Sequence, residues 1–166
     1  MKNVTYHTIT GGAIDLSRLS DEERSFLGDV ARMYERKPEW SEFAAWWFPK
    51  FQASGLPETS IVERVCSDLE SRLGIAQGNV ATPDYRDYLF ELIEERYGSH
   101  NRFCQETGVD PGHLSRVFAG KSELSLQNFQ RILDTLDAQL IIEPRASDPE
   151  RWSPERAAEA LAAAVL

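Results

Sequence analysis

Residues 100–119 read HNRFCQETGVDPGHLSRVFA, and their reading decides the fold. Ser99 stands before them as an N-cap, so a short helix is expected from His100 to about Glu106. Gly108 follows, where a sharp turn needs a positive φ at no steric cost. Asp110-Pro111 then opens a second short helix. Asp is a favoured cap, and Pro at the first helical position gives up no needed hydrogen bond. Phe103, Val109, Leu114 and Val117 are spaced to meet between the two helices, and Cys104 falls at their crossing, where a small side chain is required. The pattern predicts a helix-turn-helix, whose second helix enters the DNA major groove.

Upstream, Tyr85, Leu89, Leu92, Ile93 and Tyr97 form the apolar stripe of a preceding helix, with Thr82-Pro83 as its expected cap and Gly98 as its end. Downstream, Ser125 caps a helix whose Leu126, Phe129, Ile132, Leu133 and Leu136 close the core. Residues 138–143 (AQLIIE) read as a strand ended by Pro144. Such a strand needs an edge partner, either an N-terminal strand or its own copy across a dimer.

Residues 84–144 resemble the lambda-repressor/Cro-like (XRE) helix-turn-helix family. The resemblance is carried by Phe103 and Cys104, by Gly108-Val109 in the turn, and by Leu114 and Val117. Ala119-Gly120-Lys121 then leads to Ser125-Leu126-Gln127-Asn128-Phe129. The chain departs from the usual pattern at Cys104, where alanine is commoner, and at Pro111-Gly112, where polar base readers are commoner. The resemblance implies a lambda-repressor-like domain with double-stranded DNA as partner, and phosphate contacts by His100 and Asn101. A plain helical hairpin with a glycine turn is the alternative.

A recognition helix that starts at Asp110-Pro111 would present Pro111, Gly112, Ser115 and Arg116. Arg116 is the best base reader, because its planar fork matches guanine O6 and N7. Ser115 can donate or accept, and Gly112 permits close approach. His113 is either a phosphate contact or a packing residue. Arg102 and Lys121 are expected backbone anchors, with solvated surface as the alternative. The helix start at Ser125 has free amides and a favourable dipole for an anion, and Asn128 lies in the same turn.

The charge opposes a protein that coats nucleic acid: the 166 residues carry a formal net charge of −9. Its distribution recovers part of the case. From Arg96 to Arg131 the bases are Arg96, Arg102, Arg116, Lys121 and Arg131, and the acids are Glu106, Asp110 and Glu123, a net of +2. Acids crowd the preceding helix at Asp84, Asp87, Glu91, Glu94 and Glu95. Such a face can bind a short operator in a salt-sensitive way, but not DNA at large.

The N-terminal half reads as helical. Residues 3–10 (NVTYHTIT) alternate like a short strand, with His7 as an exposed member. Ser20-Asp21-Glu22-Glu23 is a capping box for a helix to about Glu35. Ser41 is expected to cap a helix over residues 42–53 that Pro49 would break or kink. The aromatic run Trp40–Phe51 reads as core rather than as a base-stacking surface, because few basic residues accompany it. Residues 61–73 form a third helix with Ile61, Val65, Leu69 and Leu73 in one stripe, and residues 74–83 read as a linker. Ser153-Pro154 starts a final Ala-rich helix that either docks on the N-terminal half or frays.

No GxSxG, P-loop, HExxH or dinucleotide fingerprint occurs. Cys104 and His100 could be drawn as a nucleophile pair, but the helix crossing would bury the thiol. Cys66 and Cys104 form no CxxC, so a zinc site or disulfide scaffold is not expected. No apolar run reaches membrane-spanning length. The expectation is a mainly α, cytoplasmic protein with minor short β-strands, no cofactor and no enzymatic activity. Residues 1–80 form a helical domain that senses, dimerises or binds a protein partner. Residues 81–144 form the DNA-binding domain, and residues 145–166 a linker and C-terminal helix. The expected role is a homodimeric transcriptional regulator, with an autoregulating antitoxin-type repressor as a specific case. The competitor is a protein-interaction module on a helix-turn-helix scaffold that does not read DNA.

Overall fold

Eight α-helices and one two-stranded sheet make up the described residues, 5–142 and 153–166, of the computed structural model. The chain divides into two units at Thr82/Pro83, and the C-terminal helix belongs to the first.

In the first unit, β1 (Thr5–His7) and β2 (Ala13–Asp15) form an antiparallel hairpin with Tyr6 opposite Ile14. Both of these residues point into the core, and His7 stays exposed. The partner of the N-terminal strand is thus its own continuation, which the sequence reading missed. Gly11, at φ +90°, lets the chain reverse there. Helix α1 (Asp21–Tyr34) starts with the expected capping box, Ser20 accepting from the Glu23 N–H and Glu23 accepting from the Ser20 N–H.

Helix α2 (Trp40–Ser54) begins earlier than expected, after an N-cap at Glu39 that makes no side-chain cap bond, and it runs through Pro49. A proline removes the hydrogen bond to the carbonyl four residues back, which here is that of Ala45. Ala45 and Pro49 both face solvent, so water can take over that carbonyl. Phe43, Trp47 and Phe51 of the aromatic run are buried, Trp46 is half-buried and Phe48 is half exposed.

Helix α3 (Ile61–Ala76) extends past the expected end, so Gly74 is helical rather than part of a linker. A Cβ at Gly74 would collide with the Val80 side chain, so the returning chain packs directly on the helix backbone. Helix α8 (Pro154–Val165) docks instead of fraying: Ala157 and Leu161 are buried in the core of this unit, and Arg24 Nη1 donates to the Ala164 carbonyl at 2.9 Å.

In the second unit, α4 (Tyr85–Tyr97) is capped by Asp84, not by Thr82-Pro83, in a capping box with Asp87. Helices α5 (His100–Thr107), α6 (Pro111–Phe118) and α7 (Leu126–Thr135) follow, capped by Ser99, Asp110 and Ser125 as read from the sequence. Leu89, Ile93, Phe103, Cys104, Leu114, Ile132 and Leu136 form one buried cluster. Each large apolar side chain in it contributes on the order of 1.5–3 kcal/mol, more than any surface charge of the unit.

The expected strand over residues 138–143 is a correction. Residues 138–142 are not a strand, and Leu140, Ile141 and Ile142 are exposed. Apolar content alone does not make a strand; a backbone ladder does, and the described residues supply none there. Glu143 and Pro144 lie outside the described residues, as does the whole of the expected linker over residues 145–152.

Candidate nucleic-acid interface

The turn between α5 and α6 is built as its residues require. Gly108 adopts φ +76°, and its N–H donates to the Cys104 carbonyl at 2.9 Å, closing α5. Asp110 then accepts from the Gly112 and His113 N–H groups at 3.2 and 2.9 Å. The first turn of α6 is therefore set by one carboxylate and one glycine.

Phe103, Leu114 and Val117 are fully buried, which fixes the rotation of α6 about its axis. The opposite face is left in solvent: Pro111, Gly112, Ser115 and Arg116 are all exposed. Arg116 and Lys121 have no ion pair or side-chain hydrogen bond among the described residues. The Lys121 N–H donates to the Arg116 carbonyl at 2.8 Å, so the base of the lysine is tied to the end of α6.

Other expected contacts are placed less simply. Arg102 is exposed, but its Nε donates to Glu106 Oε1 at 2.7 Å, so its charge already has a partner. Asn101 is exposed and His100 is half-buried, its backbone N–H donating to Glu94 Oε1. His113 is half-buried and lines a groove with Asn128 and Arg131 of α7. Packing against that groove and access to solvent are both available to it. The Ser125 hydroxyl accepts from the Asn128 N–H at 3.2 Å, so this oxygen serves the cap.

Two residues escaped the sequence reading. Arg86 of α4 reaches the loop after α6, where its Nη2 lies 3.3 Å from Glu123 Oε1, and the Tyr85 hydroxyl donates to the other oxygen of Glu123. A Cβ at Gly120, which sits at φ +69°, would lie 2.9 Å from Arg86 Nη1, so the guanidinium would have to shift to admit one. Nothing in the local sequence ties residue 86 to residues 120–123. The second is Arg131, read from the sequence only as one charge of the basic face: it shares a groove with His113 that only the packing of α7 against the turn creates.

Cys104 is almost fully buried, and burial, followed by the nearby Asp110 charge, pushes its thiol pKa up. No helix is long and apolar enough to cross a membrane among the described residues. No family model, no curated protein and no solved structure matches this chain.

Proposed function

We propose that the second unit is a lambda-repressor-like helix-turn-helix domain and that the protein is a sequence-specific, DNA-binding transcriptional regulator. On this reading it is cytoplasmic, acts as a homodimer without enzymatic activity, and uses its first unit to sense a ligand or bind a partner. An autoregulating antitoxin-type repressor is the specific case. The observation that carries the reading is the solvent-facing side of α6, on which Arg116 has no carboxylate partner among the described residues while Leu114 and Val117 anchor the other side. The helix ahead of it ends in a three-residue turn, which holds the two at a fixed angle.

In this arrangement Arg116 reads a base edge and Ser115 supports it. Pro111 and Gly112 allow the backbone to approach the groove closely. Lys121, Asn101 and the amides at the start of α7 meet phosphates. Leu140, Ile141 and Ile142 are exposed apolar side chains at the end of the unit and suit a contact with a second copy.

The competing reading is an interaction module that does not bind DNA. The net charge of −9 and the absence of polar side chains at Pro111-Gly112 favour it. A binding titration separates the two. The full-length protein is titrated against DNA from its own promoter and against scrambled DNA, at several salt concentrations. Preferential, salt-sensitive binding to the promoter is expected; equal weak binding to both sequences would leave the interaction module as the better account.

A further inference from the structure

The first unit contains a cavity that the DNA reading does not use. It measures about 390 Å³ and lies between the C-terminal ends of α1 and α3 and the first turns of α8. That volume falls within the range of small-molecule sites, roughly 300–1,000 Å³. Its walls are apolar, with Ala31, Leu73, Ala158 and Ala162 facing it from three helices. Its rim is charged, and the charge is one-sided: Glu35, Glu155 and Glu159 stand against Lys37 alone, a net of −2.

The rim charge is also available. Glu155 accepts a hydrogen bond from Ser153, whereas Glu35 and Glu159 have no side-chain partner among the described residues. The backbone adds to it. Helices α1 and α3 both end at this cavity and carry partial negative charge there, which the start of α8 opposes at one wall. The field reaches the inner wall as well: the Tyr34 hydroxyl, raised chiefly by burial, is raised further by Glu155.

We propose that this cavity binds a small organic cation, a molecule with an apolar body of about one ring and an ammonium group. The body displaces water from the alanine and leucine walls, and the ammonium stays at the rim between the glutamates. A neutral molecule of the same shape gains only the first term. An anion of the same shape meets like charge and is rejected. The inference stands on the first unit by itself and is independent of whether the second unit binds DNA.

The test uses three probes of one shape on the full-length protein: 2-phenylethylammonium, 2-phenylethanol and 3-phenylpropanoate. Binding is followed by chemical-shift changes at residues around the cavity. Each partly exposed ion pair adds up to roughly fivefold in affinity, so the ammonium is expected to bind about tenfold more tightly than the alcohol. The carboxylate is expected to be the weakest, and added salt should narrow the differences. Glu35→Gln with Glu159→Gln alters two exposed side chains and should bring the ammonium close to the alcohol. Ala158→Trp should fill the cavity and abolish binding of all three. Equal binding of ammonium and alcohol to the unaltered protein would overturn the proposal. So would an ammonium preference that survives the double glutamine change, or no saturable binding at all. If Ala158→Trp does not fold, the glutamine pair decides.

Discussion

Asp68 and Arg72 lie one turn apart on α3, both withdrawn from water, with the guanidinium Nε 2.7 Å from the carboxylate Oδ2. Neither serves α3 alone. Asp68 also accepts from the Tyr6 hydroxyl and the Ile9 N–H, and Arg72 Nη2 donates to the His7 carbonyl at 2.9 Å. One buried pair thus holds the β-hairpin on the helices. Asp68→Ala removes the carboxylate from a buried guanidinium and should cost about 3–5 kcal/mol. Tyr6→Phe removes one hydrogen bond to that carboxylate and should cost about 1.5–3 kcal/mol. Urea unfolding measures both; equal, small losses would show that the pair does not organise the hairpin.

Alkaline pH should weaken the first unit. Burial, and then the Asp68 charge, raise the Tyr6 hydroxyl well above its ordinary 10.0. Burial likewise raises the Cys66 thiol above its ordinary 9.0, and the charges of Glu63 and Glu70 add to this. The folded chain keeps protons that the unfolded chain releases above those ordinary values. Stability from these groups is therefore complete below about pH 9 and falls as pH rises beyond it. The urea midpoint, followed from pH 8 to 11, should stay level and then decline, and Tyr6→Phe should flatten the later part of the fall. A level profile throughout would contradict the burial of these groups.

Leu161 of α8 is fully buried among side chains of the first unit. Leu161→Ala should cost about 2–5 kcal/mol through lost transfer energy and a residual cavity. A fragment of residues 81–147, which lacks α8 and carries the second cluster, should remain helical by circular dichroism. An unfolded fragment would mean that the two units depend on one core.

Gly108 and Gly112 should respond oppositely to alanine. Gly108 has open space around it but a φ of +76°, so Gly108→Ala is strained by backbone alone and should cost about 1 kcal/mol or more. Gly112 is helical, and a Cβ there meets nothing nearer than Arg116 Nη1 at 3.5 Å. Gly112→Ala should leave stability unchanged or raise it by roughly 0.5–1 kcal/mol. If α6 enters a groove at this point, Gly112→Ala should still weaken DNA binding. Thermal unfolding and a DNA titration on the same two variants separate fold from interface.

Arg116 and Lys121 should differ in kind. Arg116→Ala should cost roughly 1–3 kcal/mol on the preferred site and less on random DNA. Lys121→Ala should weaken both alike and reduce the salt slope by about one charge per site. Specific binding that Arg116→Ala leaves intact would place base reading on another element.

Local chemistry made much of the second unit legible from sequence. Ser99, Asp110 and Ser125 cap helices within three residues of themselves, and Gly108 answers to its own φ, so no distant residue is needed to read them. The capping box at Ser20 is equally local. What lay hidden depends on partners far along the chain. The hairpin partner of residues 5–7 has no cap or charge to announce it. The continuation of α2 through Pro49 depends on which face meets water. The docking of α8 depends on a groove made by α1 and α3. The Arg86–Glu123 contact, the Asp68–Arg72 pair beneath the hairpin and the acid-rimmed cavity join residues more than 30 positions apart. The apolar run at Leu140–Ile142 marks the boundary most clearly. Its composition suits a strand, but a strand exists only where a second backbone completes its hydrogen bonds, and that is decided by tertiary structure.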